Sequence, residues 1–137
     1  MIDHDEPSGA PVVAAAERLG AAFAARDVAA ALACFVTDDD IGYAGSERAE
    51  NAAGRAAVEA LLTRVFARNE AYSWRITAAS VREYADCAYL FAEADGLVHA
   101  DAGDTVSFPY RISGVLESDS GRWRWRHCHG AEPQVET

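Results

Sequence analysis

The hydrophobic period of the chain changes once, at Asn69, and that change restricts the fold more than any other feature. Before it, apolar residues recur every three or four positions, as one face of a helix requires; after it they recur every second position, as one face of a strand requires. Val12, Ala16, Leu19 and Phe23 mark a first helix opening near Pro11, a residue suited to a first helical turn. Arg26-Asp27 breaks that register. Asp27 is placed to cap a short second helix with Val28, Leu32 and Phe35 on its apolar side, ended by Thr37-Asp38-Asp39-Asp40. Residues 41–45 read as a short strand and residues 46–54 as a polar loop. Val58, Leu61, Leu62, Val65 and Phe66 predict a third helix from Arg55 to about Asn69. Four strand-rich segments follow, at 73–84, 87–99, 104–117 and 122–130, separated by turn material at Ala85-Asp86, Asp101-Ala102-Gly103 and Ser118-Asp119-Ser120-Gly121. Such short connections imply antiparallel hairpins, and helices first with a meander after them predict an α+β domain whose helices cover one face of a single sheet.

The 137 residues, half of them hydrophobic, fit one domain over residues 11–131, with loose polar tails at 1–10 and 132–137. Twelve basic against 22 acidic residues give a formal charge of −10, a field that repels phosphate backbones and anionic headgroups. Neither nucleic acid nor a membrane surface is an expected partner. Cys34, Cys87 and Cys128 are odd in number and lack any C-x-x-C spacing, which indicates neither a disulfide framework nor a structural zinc site and fits a reduced cytoplasm. No segment approaches the ~20 apolar residues of a membrane span.

The order of these elements resembles the nuclear transport factor 2-like superfamily, and within it the SnoaL-like and ketosteroid isomerase-like small proteins. The resemblance is carried by Phe23-Ala24-Ala25-Arg26-Asp27 with Leu32 and Phe35, by Thr37-Asp38-Asp39, by the loop ending in Gly54 with its following helix, and by Ser113-Gly114-Val115-Leu116-Glu117 leading through Gly121-Arg122-Trp123 to His127. It implies a cone-shaped, curved antiparallel β-sheet wrapped around the N-terminal helices, with an open-ended pocket and often a homodimer packed through the sheet's outer face. Members include isomerases, dehydratases, cyclases and epoxide hydrolases as well as binding modules, so fold alone does not choose among them. In a gapless alignment through Asp27, the catalytic tyrosine of ketosteroid isomerase falls on Leu19 and its general-base aspartate on Tyr43. That particular isomerisation is therefore disfavoured.

Alternation along residues 122–130 puts Trp123, Trp125, His127 and His129 on one strand face and Arg122, Arg124, Arg126 and Cys128 on the other. With the ring face turned to the pocket, His127 is the candidate proton carrier, since imidazole titrates near neutrality, and Tyr43 or Asp40 would orient it. His127 and His129 sit two apart, but a metal site needs a third ligand, and none is assigned. The Asp38–Asp40 run is foremost a turn and capping feature. Trp74, Phe108, Tyr110 and Trp125 are the expected ligand-facing aromatics, with Pro109 able to reset the alternation around Phe108 and Tyr110. Arg75, Arg82 and Arg111 are expected on the outer sheet face. A small apolar or aromatic organic ligand, without a required cofactor since no glycine-rich phosphate loop is present, follows from this arrangement. A non-catalytic ligand-binding or dimerisation module is the alternative.

Overall fold

Helix α1 (Gly9–Ala25) forms where alanine dominates, and it buries Val12, Ala15, Ala16, Leu19 and Phe23 along one side. The computed structural model describes residues 9–134. Most of the expected N-terminal tail and the end of the C-terminal one lie outside the described residues. Asp27 does cap α2 (Val28–Ala33), its carboxylate accepting from the Ala30 amide at 3.0 Å. Two three-residue strands, β1 (Gly42–Ala44) and β2 (Asn51–Ala53), flank the loop before α3 (Arg55–Phe66). The meander consists of β3 (Glu70–Tyr84), β4 (Cys87–Ala100), β5 (Thr105–Asp119) and β6 (Arg122–Ala131). Among the described residues, no helix is long and apolar enough to cross a membrane.

All six strands join one open sheet in the order β2-β1-β6-β5-β4-β3. It is mixed rather than wholly antiparallel. β1 runs parallel to β6, with Tyr43 beside Cys128, because the chain crosses from α2 to the far edge before the meander begins. On β4 the inward set is Ala88, Leu90, Ala92 and Ala94, all buried, and the outward set is Tyr89, Phe91, Glu93 and Asp95. The three helices cover the inner face, where Leu61, Leu62 and Val58 of α3 and Phe23 of α1 share a core with Leu90, Ile112, Leu116 and Trp125. The Trp74 indole N–H donates to the Ala16 carbonyl at 3.0 Å and pins α1 to β3.

Two bulges interrupt the ladders. One inserts Thr77 into β3, and the other inserts Arg126 into β6, where Leu116 pairs with Trp125 but Val115 pairs with His127. A bulge bends its strand and resets which face each later side chain occupies. Opposite the second bulge stands Gly114, where a Cβ would overlap the His127 carbonyl and lie 2.9 Å from the Trp125 ring. No larger residue fits this crossing.

Candidate functional site

The bulge at Arg126 overturns the expected orientation of the last strand. Trp125 points inward and is completely buried, but Cys128 is the next inward side chain, and His127 and His129 are exposed on the outer face. The His127 ring lies over Gly42 from outside, so it cannot act as proton carrier for the interior. Asp40 is also exposed, and its contribution is its backbone carbonyl, which accepts from Arg126 Nη1 at 2.5 Å. Trp125 packs in the core beside Phe35 and is not in the wall of the aromatic cavity lined by Trp74 and Tyr110. Among the described residues no group of three or more His, Cys, Asp or Glu side chains is arranged to hold a metal ion.

A cavity of about 330 Å³ opens between the end of α1, the β1–β2 turn, the end of α3 and the inner face of β3 to β5. That volume lies at the small end of the range that accommodates organic ligands. Tyr43, Trp74, Phe108 and Tyr110 are in its wall, with Phe23 and Tyr72. The rings form one continuous surface: Phe23 meets Trp74 at 5.0 Å and Tyr43 at 5.8 Å, Trp74 stacks on Tyr110 at 6.0 Å, and Phe108 stands edge-on to Tyr110 at 5.9 Å. Pro109 causes no register shift on β4, because it sits opposite Asp95, beyond the last pairing of β5 with β6 at Arg111 and Ala131. Phe108 and Tyr110 therefore stay on the inner face.

Tyr43 and Tyr110 lie close together deep in the wall, and burial pushes both phenols well above their usual range. They are neutral donors at any ordinary pH. The charge of Glu50 raises both further, which places that carboxylate within electrostatic reach of the pair. Glu50 comes from the β1–β2 turn, where its side chain accepts from the Glu47 amide at 3.3 Å. Burial lifts its carboxyl above the ordinary glutamate range, while that amide holds it down, Glu47 adds to the rise and Arg68 opposes it. A carboxyl shifted in this direction is a stronger proton acceptor than an exposed glutamate.

Arg68, just past α3, organises the rim. It donates to both carboxylate oxygens of Glu47 at 3.0 and 3.3 Å and to the Tyr72 hydroxyl at 3.1 Å, and lies 3.4 Å from Glu50. The Tyr72 hydroxyl in turn donates to Glu70 at 2.5 Å. Glu132, following β6, completes the acidic side of the opening and accepts from Ser46 at 3.4 Å. None of Glu47, Glu50, Arg68, Tyr72 or Glu132 was legible as a site residue, since they sit in a turn, at a helix end, near a strand start and past the last strand.

Fold and cavity together define a small α+β cone with an aromatic pocket closed by helices. A family model for the SnoaL-like domain matches residues 12–133, and the chain belongs to that family. No curated protein matches it. Among solved structures it is similar to a candidate dehydratase of the nuclear transport factor 2-like family from Streptomyces avermitilis, with TM-score 0.81, 15% identity, and coverage of 96% of this chain and 100% of that one. A nuclear transport factor 2-like superfamily protein from Salmonella enterica serovar Typhimurium gives TM-score 0.78 at 14% identity, covering 98% and 96%. A candidate calcium/calmodulin-dependent protein kinase type II association domain from Thiobacillus denitrificans gives 0.72 at 23% identity, covering 89% and 94%. At these identities the likeness is one of fold.

Proposed function

We propose that the chain encloses a small, largely apolar organic molecule and carries out acid–base chemistry on it, with Glu50 as proton acceptor and the Tyr43–Tyr110 pair as hydrogen-bond donors to a developing oxyanion. The reading needs no cofactor. One observation carries it: a partly buried carboxyl of raised affinity for protons and two phenols held neutral converge on one aromatic cavity. Pairing a base with neutral donors is how enolising enzymes remove a proton beside a carbonyl, since the donors stabilise charge that appears only in the transition state. Isomerisation, dehydration and cyclisation all begin with such a step.

The test is exchange of α-protons for deuterium in a panel of aromatic ketones such as 2-tetralone, followed by NMR. Acceleration by the wild-type chain, lost in Glu50→Gln and kept in His127→Ala, is the expected result. Binding of the panel without any acceleration would reduce the protein to a ligand carrier.

A second reading has its own observation. Tyr89 and Phe91 are 47% and 39% exposed on the outward face of β4, where a second copy of the chain would cover them. Arg75 and Arg111 on that face are bonded within the chain, to Asp95 at 3.0 Å and Glu93 at 3.4 Å, and so do not need partners across a dimer. Homodimerisation through this face is compatible with catalysis and would also serve a pure association module. Light scattering of Phe91→Glu separates these: a monomer that keeps the exchange activity leaves the interface as scaffold only.

A further inference from the structure

We propose that the ligand of this cavity is an organic cation, an aryl- or alkylammonium whose tail lies against Trp74 and Phe108 and whose charged head sits toward Glu50 and the acidic rim. The inference rests on the reading of the cavity as a ligand site and adds the charge of what it takes.

Two properties of the lining point the same way. Its walls hold six aromatic rings, a type of group whose face attracts a cation within about 6 Å of the ring centroid. Its ionisable lining consists of the carboxylates Glu47, Glu50 and Glu132 and the single guanidinium of Arg68, a formal excess of two negative charges.

The single positive group is already engaged. Arg68 gives both its terminal nitrogens to Glu47 and one of them to the Tyr72 hydroxyl, and its guanidinium carbon lies 5.7 Å from the centre of the Tyr72 ring. An anionic ligand would have to separate Arg68 from Glu47 and then face Glu50 and Glu132. A neutral ligand gains no charge–charge attraction from these carboxylates, of which Glu50 is the least exposed. An ammonium supplies the missing counter-charge and also uses the ring faces. The contact between Arg68 and Tyr72 is a built-in instance of the same recognition, a nitrogen cation held by a ring and carboxylates together. The net charge of −10 over the whole chain adds long-range attraction for cations, which salt will weaken.

The experiment uses three molecules of nearly one shape, 4-phenylbutylamine, 4-phenylbutanol and 4-phenylbutyrate, titrated into the full chain by calorimetry at neutral pH. The amine is expected to bind at least about tenfold tighter than the alcohol, and the carboxylate weakest of the three. Glu50→Gln, first shown to melt no lower than the wild type, is expected to weaken the amine about tenfold and leave the alcohol unchanged. Equal affinity for amine and alcohol, or tighter binding of the carboxylate, overturns the cation preference while leaving the cavity as a ligand site. Absence of binding by all three, with the protein folded by circular dichroism, overturns both.

Discussion

Arg126 and Glu117 meet across β5 and β6 in a two-pronged ion pair, with Nε to Oε2 and Nη2 to Oε1 both at 2.9 Å. Such parallel bonds fix the plane of the guanidinium. Its remaining nitrogen, Nη1, reaches Asp38 at 2.7 Å and the Asp40 carbonyl at 2.5 Å. Arg126 is also the extra residue of the β6 bulge, so the side chain that ties down the α2–β1 loop is supplied by the backbone irregularity that turns His127 outward.

Arg126→Ala should therefore lower the melting temperature, by the equivalent of about 1–2 kcal/mol once solvent exposure is allowed for. The loss should also depend on pH. Hydrogen bonds from Arg126 hold the Glu117 and Asp38 carboxyls below their usual range. Groups depressed in the folded state stabilise it above their unfolded values and lose that contribution as pH falls through the folded ones. The gap between wild type and variant should be full at neutral pH and close below about pH 4, where carboxylates protonate. Thermal melts at pH 7 and pH 3 measure it, and a constant gap would show that the carboxylates are not the relevant partners.

Glu50→Gln should reduce exchange or turnover by at least about 100-fold, the usual scale for removing a general base. Its effect on stability should have the opposite sign to that of Arg126→Ala. Because the folded state raises the Glu50 affinity for its proton, ionising it costs stability as pH rises from the ordinary carboxylate value through the folded one. The glutamine variant lacks that cost. It should be equal to or more stable than wild type at pH 7 and lose the advantage near pH 4, as urea titrations at the two pH values would reveal.

The helices and the meander were readable from periodicity because burial imposes 3.6 on one and 2 on the other, and the Asp27 cap followed from a local hydrogen bond. β2 was not readable, since its three residues bury only Ala52 and leave no period to detect. Nor was the parallel pairing of β1 with β6, which is decided by where the chain goes after α2. Trp123-Arg124-Trp125-Arg126-His127 alternates without a break, so nothing in that run announces that Arg126 is extruded. The cause lies in other segments, in the space Gly114 leaves and in the carboxylates of Glu117 and Asp38. Thus Tyr43, Trp74, Phe108 and Tyr110, the aromatics expected near the cavity, do line one, the two beside Pro109 because the ladder keeps its register there, whereas His127 was misplaced by a bulge only one position before it.

Adjacent positions on β4 give a direct check on the register. Leu90 is fully buried against the helices, and Leu90→Ala should cost about 2–5 kcal/mol through lost transfer energy and an unfilled cavity. Phe91, its outward neighbour, should cost less than about 0.5 kcal/mol as alanine in a monomer. A larger cost that grows with protein concentration would mean that a second copy covers this face. Chemical denaturation at two protein concentrations distinguishes the cases.

Gly130 supplies the most selective probe of the tyrosine pair. A Cβ built there would overlap the Tyr110 hydroxyl, so Gly130→Ala must push that ring out of its place beside Tyr43 and Trp74. The expected cost is about 1–3 kcal/mol, typical of overpacking a filled interior. Removing the hydroxyl relieves the worst overlap and leaves the ring carbon Cζ at 2.7 Å from the new methyl. Tyr110→Phe alone should cost a little stability, yet in the Gly130→Ala background it should recover part of what was lost, giving a coupling between the two sites of opposite sign to simple additivity. Exchange activity should not recover with it, because the restored fold then lacks one of its two donors. If the double variant is no more stable than Gly130→Ala, the ring and not its hydroxyl sets the cost at Gly130, and the pair ceases to be a probe of the hydroxyl.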